Sequence, residues 1–188
     1  MSYIDKRLIK KCIEGKEKSI HSLYNICFND MYKVSARYGK HPEDIQEIID
    51  NSFMKVLKGL KSYSDTSKFG SWVRTIAINT ALDFVRKKQR ELKLFSDVDI
   101  SAEANVNAQP TQAWDDSLEA SDIFKMMQQL PDQNRIILNL FAIEGYSHKE
   151  IGDMLDISET ASRWYLSEAR KMMKKHITSK NKYRHEGA

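Results

Sequence analysis

The chain has 188 residues, of which 41% are hydrophobic and 30% charged, and its formal net charge is +4. Its seven Gly and three Pro are few, so the composition predicts a water-soluble, helical protein with one domain or two small ones. No run approaches ~18 apolar residues and the N-terminus lacks an apolar signal core, so we expect neither a membrane-spanning nor a secreted protein, but a cytoplasmic one.

The charge is unevenly distributed. Residues 1–95 carry 19 Lys/Arg against 11 Asp/Glu (net +8), residues 96–121 carry six Asp/Glu and no Lys/Arg (net −6), and residues 122–188 carry 11 against nine (net +2). Because phosphate contacts release counterions, two basic segments around an acidic one favour a polyanionic partner. Simple solubility is the alternative explanation.

Three helices are predicted before residue 61, over residues 3–14, 17–39 and 43–60, from apolar residues spaced three and four apart. The third begins with an acidic group, made of Glu43, Asp44, Glu47 and Asp50. The helix dipole accounts for the first two acids but reaches the others poorly. Docking of a basic protein partner is the alternative use for this patch.

A mostly apolar helix is predicted over Lys68–Arg90, and one of its stripes is different. Spacings of three and four superimpose five side chains along that stripe: Trp72, Thr75, Asn79, Asp83 and Arg86. A basic run follows it, and a polar loop with Tyr63 precedes it. An aromatic ring and hydrogen-bonding groups beside cations suit unpaired bases and their phosphates, whereas the alternative is an ordinary amphipathic helix with a solvated face. Phe69 is expected to anchor the loop by its apolar ring.

The helical pattern is lost after this helix, in a stretch rich in Asp, Ser and Asn. We therefore predict an all-α protein with two small domains, an N-terminal helical bundle over 1–92 and a C-terminal domain over 114–180. Residues 93–113 would form a flexible acidic linker, and residues 181–188 a tail.

The C-terminal domain reads as a helix-turn-helix. Helices are predicted from about Trp114 and over about Gln133–Glu144, the latter capped by Asp132. Ser147 and Glu150 match a capping box for a short helix that ends at Leu155, and after a tight turn a long helix covers about 159–176. The side chains on the outward face of this long helix could contact bases or phosphates. They are Thr160, Arg163, Trp164, Ser167, Arg170 and Lys171. A plain αα-hairpin is the alternative, with Trp164 packed on the preceding helix.

Catalytic and metal-binding patterns are missing from the sequence. Cys12 and Cys27 are not in a CxxC motif, the five histidines are scattered, and His148 is expected at the surface. There is no Ser/His/Asp arrangement and no Gly-rich phosphate loop. We therefore expect no enzyme, no cofactor, no metal and no small-molecule substrate.

With these features the chain resembles the extracytoplasmic-function sigma factors, the compact two-domain branch of the sigma-70 family. The segment FGSWVRTIAINTALDFVRKKQR resembles the helix used at the −10 promoter element, and LPDQNRIILNLFAIEGYSHKEIGDMLDIS resembles the domain that reads the −35 element. The resemblance implies a non-enzymatic subunit that binds core RNA polymerase and directs it to promoter DNA. It also implies an anti-sigma factor as a partner, which in such proteins is often membrane-anchored.

The resemblance assigns roles to individual residues. The −10 set is Tyr63, Lys68, Trp72, Thr75, Asn79, Arg86, Lys87 and Lys88, and the −35 set is Thr160, Arg163, Trp164, Ser167, Arg170 and Lys171. Residues implied to dock on polymerase are Glu47, Asp50, Asn51 and Met54. The chain departs from the family pattern at Asp156, where the turn usually carries Gly, and at Glu168, where Arg is frequent. The alternative function is a helix-turn-helix transcriptional regulator with an N-terminal sensing or dimerisation domain.

Overall fold

The computed structural model describes residues 4–63, 68–95 and 118–185 of the chain. These ranges contain α-helices, with short 3-10 and π-helical turns and no strand, which confirms the all-α prediction. The chain divides into two compact units, Met1–Gln109 and Pro110–Ala188. Most of the segment predicted as a linker lies outside the described residues.

The first unit is a bundle of four helices: α1 (Lys6–Ile13), α2 (Glu17–Tyr38), α3 (Pro42–Gly59) and α4 (Phe69–Phe95). A 3-10 turn, Leu60–Ser62, follows α3. Helices α2, α3 and α4 pack on one another, while α1 packs on α2 and on the 3-10 turn. Their apolar faces form one core, with Leu23, Met31, Ile48, Val56, Ala77 and Leu82 among its buried members.

Three small hydroxyl side chains inside this core each have a hydrogen-bond acceptor. Ser35, Ser52 and Thr80 are buried, and each donates to the carbonyl oxygen four residues earlier in its own helix, at 2.6–2.8 Å. A buried hydroxyl is costly only when it lacks a partner. These small residues therefore allow close packing of the helices at little energetic cost.

The second unit consists of α5 (Leu118–Gln128), α6 (Asp132–Leu138), a π-helical turn (Asn139–Ile143), α7 (His148–Leu155) and α8 (Glu159–His185). Helices α5, α6 and α7 all contact α8. The buried residues of this unit include Ile136, Ile137, Leu140, Ile151, Leu166 and Ala169.

Several predicted helix limits differ from the structure, and those of α4, α6 and α8 have local reasons. The helix predicted over Gln133–Glu144 is α-helical only to Leu138 and continues as the π-helical turn Asn139–Ile143. Pro131, not Asp132, is the N-cap of α6, because the Asp132 carboxylate instead accepts a bond from the buried guanidinium of Arg135 at 3.1 Å. Helices α4 and α8 run on to Phe95 and His185, beyond the predicted ends at residues 90 and 176. Neither extension contains Gly or Pro, so no residue in it stops a helix.

The turn between α7 and α8 has the geometry that the sequence predicts. Ser147 accepts from the Glu150 N–H, and the Glu150 carboxylate accepts from the Ser147 N–H at 2.8 Å, which completes the capping box. Asp156 adopts the left-handed conformation (φ 55°) in the place where the family usually has Gly. A Cβ on Gly152 would lie 2.8 Å from the Ile157 carbonyl oxygen, so the turn packs this closely on α7 because residue 152 has no side chain.

Candidate nucleic-acid interface

An aromatic cluster marks the beginning of α4. The ring of Trp72 stacks on Tyr63, with centroids 4.4 Å apart and an interplanar angle of 27°, and lies 5.6 Å from the ring of Phe69. Phe69 is only 1% exposed, so its ring is buried, as expected of an apolar anchor. Tyr63 and Trp72 are half-buried, so each still presents part of its ring to the surface. The structure thus joins two residues of the predicted −10 set.

Gly59 provides the space for this cluster. It is the last residue of α3, and a Cβ added to it would lie 2.7 Å from Cζ2 of Trp72. Real Cβ atoms do not approach another heavy atom so closely. The indole therefore rests directly on the backbone of α3. Sequence reasoning missed this requirement, because Gly59 at a helix end looks like an ordinary stop signal.

The polar members of the α4 stripe fall into two groups. Thr75 and Asn79 are exposed; the Thr75 hydroxyl donates to the Ser71 carbonyl oxygen at 3.0 Å, and the Asn79 amide makes no side-chain hydrogen bond with any described residue. Asp83 instead binds Lys55 Nζ at 3.0 Å and the Arg86 guanidinium at 3.2 Å. The open, polar part of the stripe therefore extends from Trp72 to Asn79 and ends at an ion pair.

The basic run of α4 is paired with the acidic start of α3. Lys87 Nζ lies 3.4 Å from the Glu47 carboxylate, and Lys88 Nζ lies 2.5 Å from the Asp44 carboxylate. The predicted DNA-contacting lysines and a predicted polymerase-contacting acid are therefore neighbours in the fold. No sequence pattern indicates these pairs, because 40 or more residues separate the partners.

The Asp44 carboxylate binds both Lys88 and the backbone of the turn between α2 and α3. It is 8% exposed, and one carboxylate oxygen accepts from the backbone N–H groups of Lys40 and His41 at 3.2 Å. Burial alone would raise the pKa of Asp44, but the Lys88 ammonium and these two N–H groups together lower that pKa. Lys88 therefore serves as a tie between α4 and the start of α3, whatever else it contacts.

The outer face of α3 forms a shallow acidic groove of about 650 Å³, lined by Pro42, Glu43, Gln46, Glu47, Asp50 and Asn51. It includes three of the four predicted polymerase contacts. Met54, the fourth, lies one turn further along α3 and is 52% exposed. Its apolar side chain is unusually open for a methionine, so this face of α3 combines negative charge with an exposed apolar residue.

Helix α8 exposes the whole predicted −35 set, namely Thr160, Arg163, Trp164, Ser167, Arg170 and Lys171. Trp164 is 57% exposed and contacts the Tyr165 ring edge-to-face, so it does not pack into the preceding helix. Two of the cations are paired within the helix: Arg163 with Glu159, and Lys171 with Glu168 at 2.7 Å. Their spacings of four and three residues were readable in the sequence as helical ion pairs.

His148 is not the surface residue that its position suggested. Its ring is half-buried, stacks on Phe141 at 4.6 Å and 23°, and places Nδ1 3.0 Å from the hydroxyl of the buried Ser162. Burial and then the charge of Arg163 lower the pKa of His148, and Arg170 adds to this while Glu159 opposes it. The histidine joins α7 to α8, and no sequence motif indicates this because its partners lie on other elements.

Two further features are absent from the part of the chain that the structure describes. No helix there is long and apolar enough to cross a membrane. No group of three or more His, Cys, Asp or Glu side chains within those ranges is arranged to hold a metal ion.

Comparison with known proteins assigns both units. Residues 23–91 match Sigma-70 region 2, and residues 121–173 match Sigma-70, region 4. The chain belongs to the extracytoplasmic-function branch of the sigma-70 family. It is thus an RNA polymerase sigma factor, which directs promoter recognition.

Similar full-length relatives support this membership. The extracytoplasmic-function sigma factor SigM of Bacillus subtilis is 27% identical over 157 residues, which cover 83% of this chain and 93% of SigM. The sigma-E factor of Haemophilus influenzae is 23% identical over 181 residues, which cover 92% of this chain and 95% of that protein. The fold also resembles that of the sigma factor RpoE of Bartonella quintana, which was solved in complex with the anti-sigma factor NepR. The TM-score is 0.54 and the sequence identity 17%, and the match covers 86% of this chain and 98% of RpoE.

Proposed function

We propose that the first unit of this sigma factor captures the melted −10 strand on the face that runs from Tyr63 and Trp72 to Asn79. The observation that carries this proposal is the juxtaposition of a half-open aromatic pair with an exposed, uncommitted amide. Aromatic rings stack on unpaired bases, and an amide can both donate to and accept from a base edge. Lys68 is exposed at the beginning of the same face and adds a phosphate contact.

The second unit then reads the −35 element with α8. Its N-terminal half presents Thr160, Arg163 and Trp164 on one exposed face, and its later cations lie where they can grip phosphates. An arginine in the major groove prefers guanine, and a tryptophan edge can contact a thymine methyl group. Arg163 would exchange Glu159 for a base when DNA binds.

Core RNA polymerase docks on the acidic groove of α3 in this proposal. Glu47, Asp50 and Asn51 line the groove and would face a basic surface of the polymerase, with Met54 supplying an apolar contact beside them. The related RpoE structure contains an anti-sigma factor, and we infer that a protein of this kind also regulates the present chain. The protein would act in the cytoplasm as a specificity subunit without enzymatic activity of its own.

The −10 assignment is tested by Asn79→Ala in holoenzyme reconstituted with core polymerase. We expect promoter opening, measured by permanganate reactivity of unpaired thymines, to fall by about tenfold, because a lost base contact costs about 1–3 kcal/mol. Core binding should be unchanged. Asn29→Ala, the same change at an exposed position of α2, is the matched control. Unchanged opening by the Asn79 variant would refute the assignment.

The −35 assignment is tested by Arg163→Ala in competition between a promoter and the same DNA with a scrambled −35 element. A base contact predicts that discrimination falls, whereas a phosphate contact predicts weaker binding to both DNAs with a smaller salt slope. A chain that binds duplex DNA as a dimer and never copurifies with core polymerase would instead be a helix-turn-helix regulator.

A further inference from the structure

The exposed face of α1 carries a concentrated positive charge that none of the functions above uses. Lys6, Arg7, Lys10 and Lys11 are all exposed, and α1 contains no acidic residue. On a helix these positions form one continuous face, opposite Ile9 and Cys12, which are buried against the bundle. The chain begins its match to Sigma-70 region 2 only at residue 23, so α1 precedes the matched part of the family.

The α1 cations differ from the other basic residues of the molecule in their pairing. The four α1 side chains form no ion pair with any described residue. Five cations of the predicted DNA-binding sets do have carboxylate partners: Arg86, Lys87, Lys88, Arg163 and Lys171. Local acids therefore offset much of the charge of α4 and α8, whereas the α1 cations, flanked in sequence by Asp5 and Glu14, pair with no described carboxylate and remain available to a partner.

The position of α1 connects this face with the −10 surface. Helix α1 packs against the 3-10 turn Leu60–Ser62, and the next residue is Tyr63, which stacks on Trp72. A strand held by the aromatic pair would continue past the elements that α1 contacts. Two other partners fit less well. Helix α1 buries Ile9 and Cys12 in the core and exposes Ile13 alone among its large apolar side chains, which is too little for a membrane. A polymerase surface complementary to the acidic α3 groove would repel the α1 cations.

We propose that the basic face of α1 binds the phosphate backbone of promoter DNA beside the −10 element, independently of base sequence. The proposal rests on the −10 role of the first unit and extends it. Each cation would neutralise about one phosphate and release its counterions. The α1 face would then add affinity for any DNA threaded past Tyr63, while the α4 stripe and α8 select the sequence.

The test compares holoenzymes that contain the wild-type chain or the double variant Lys10→Gln/Lys11→Gln. Equilibrium binding to promoter DNA and to unrelated DNA is measured over a range of KCl concentrations. The proposal predicts that the slope of log K against log salt becomes shallower by roughly 1.4 to 1.8, at 0.7–0.9 for each lost phosphate contact. It also predicts that binding to the two DNAs weakens by the same factor.

The matched control is Lys33→Gln/Lys125→Gln, which removes two exposed lysines outside α1 and should leave the salt slope at the wild-type value. An unchanged salt slope in the α1 variant would overturn the proposal. Lost affinity for core polymerase with intact DNA binding would also overturn it, because that result would assign the face to a protein partner. Failure of the wild-type chain to direct polymerase to a promoter would instead count against the −10 proposal, so the two failures are distinguishable. Circular dichroism melting checks that the variant is folded.

Discussion

At the scale of single residues, the proposed −10 surface depends on the missing side chain of Gly59. A Cβ on Gly59 would lie 2.7 Å from the indole of Trp72, so the end of α3 fixes the ring that stacks on Tyr63. A half-buried ring that stacks on Tyr63 and rests on Gly59 has few conformations left, and a pre-ordered ring loses less entropy when a base contacts its exposed part. The same reasoning explains why a methyl group at residue 59 should matter for function.

We predict that Gly59→Ala displaces the Trp72 ring and impairs promoter opening. Overpacking of this kind costs about 1–3 kcal/mol of folding free energy. Chemical denaturation measures the stability, and fluorescence of a 2-aminopurine placed in the −10 element measures the opening.

Gly70→Ala is the matched control for this prediction. Among the described residues, a Cβ there would meet only the Asp30 carboxylate, at 3.5 Å, which is ordinary contact. Stability should be unchanged or slightly higher, by less than about 1 kcal/mol, because Ala favours the helix. Equal effects of the two substitutions would show that the close approach at residue 59 has no role.

At the scale of helices, polar contacts set how neighbouring elements sit together. Lys88 and Asp44 tie α4 to the start of α3, and His148 ties α7 to α8 through Ser162. Exposed pairs such as Lys87 with Glu47 contribute little to stability, about 0–1 kcal/mol, and can exchange partners readily. The buried contacts therefore define the geometry, while the exposed pairs leave their side chains free for DNA or polymerase.

We predict that the His148 contact makes the protein less stable in mild acid. Because burial and Arg163 lower the pKa of His148 in the folded state, the unfolded chain takes up a proton first as the pH falls. The contribution is fully present above about pH 6.5, the unfolded pKa, and is lost as the pH falls toward the lowered folded value.

Thermal unfolding of the full chain between about pH 7.5 and 5.5 measures this effect. His148→Gln removes the titrating group, so its melting temperature should fall less steeply with acid than that of the wild-type chain. His21→Gln, at an exposed position of α2, should keep the wild-type slope. A His148 variant with the wild-type slope would contradict the prediction.

At the scale of the whole molecule, two separate cores support the two proposed DNA-binding surfaces. The first unit buries residues of α1–α4 around Leu23 and Ile48, and the second buries residues of α5–α8 around Leu140 and Leu166. Each core is small, so each depends on its few large apolar side chains.

We predict that Leu140→Ala destabilises the second unit by about 2–5 kcal/mol, since Leu140 is fully buried. Hydrogen exchange of the full chain should then speed up at the amides of α5–α8 and stay unchanged in α2–α4. Faster exchange in both units would mean that they unfold as one cooperative body.

Much of this architecture is predictable from local patterns. The spacing of apolar residues predicts the helices, and the pair of Ser147 and Glu150 predicts the start of α7. The exposure of one face of α8 is predictable because the opposite face carries the apolar residues that are buried. Helix ends were less predictable. Asp132 was expected to cap α6, but the buried guanidinium of Arg135 takes its carboxylate, because a buried charge needs a partner more than a helix end does.

By itself, therefore, the sequence determined the all-α class, the order of the helices, the helix-turn-helix and the family, since all of these depend on residues close together along the chain or on quoted motifs. Tertiary structure alone decided that Gly59 makes room for Trp72, that the Lys87 and Lys88 charges meet α3, and that His148 is a link rather than a surface residue. These contacts join residues that are distant in sequence. Their energies depend on packing and desolvation, which exist only after the helices have come together.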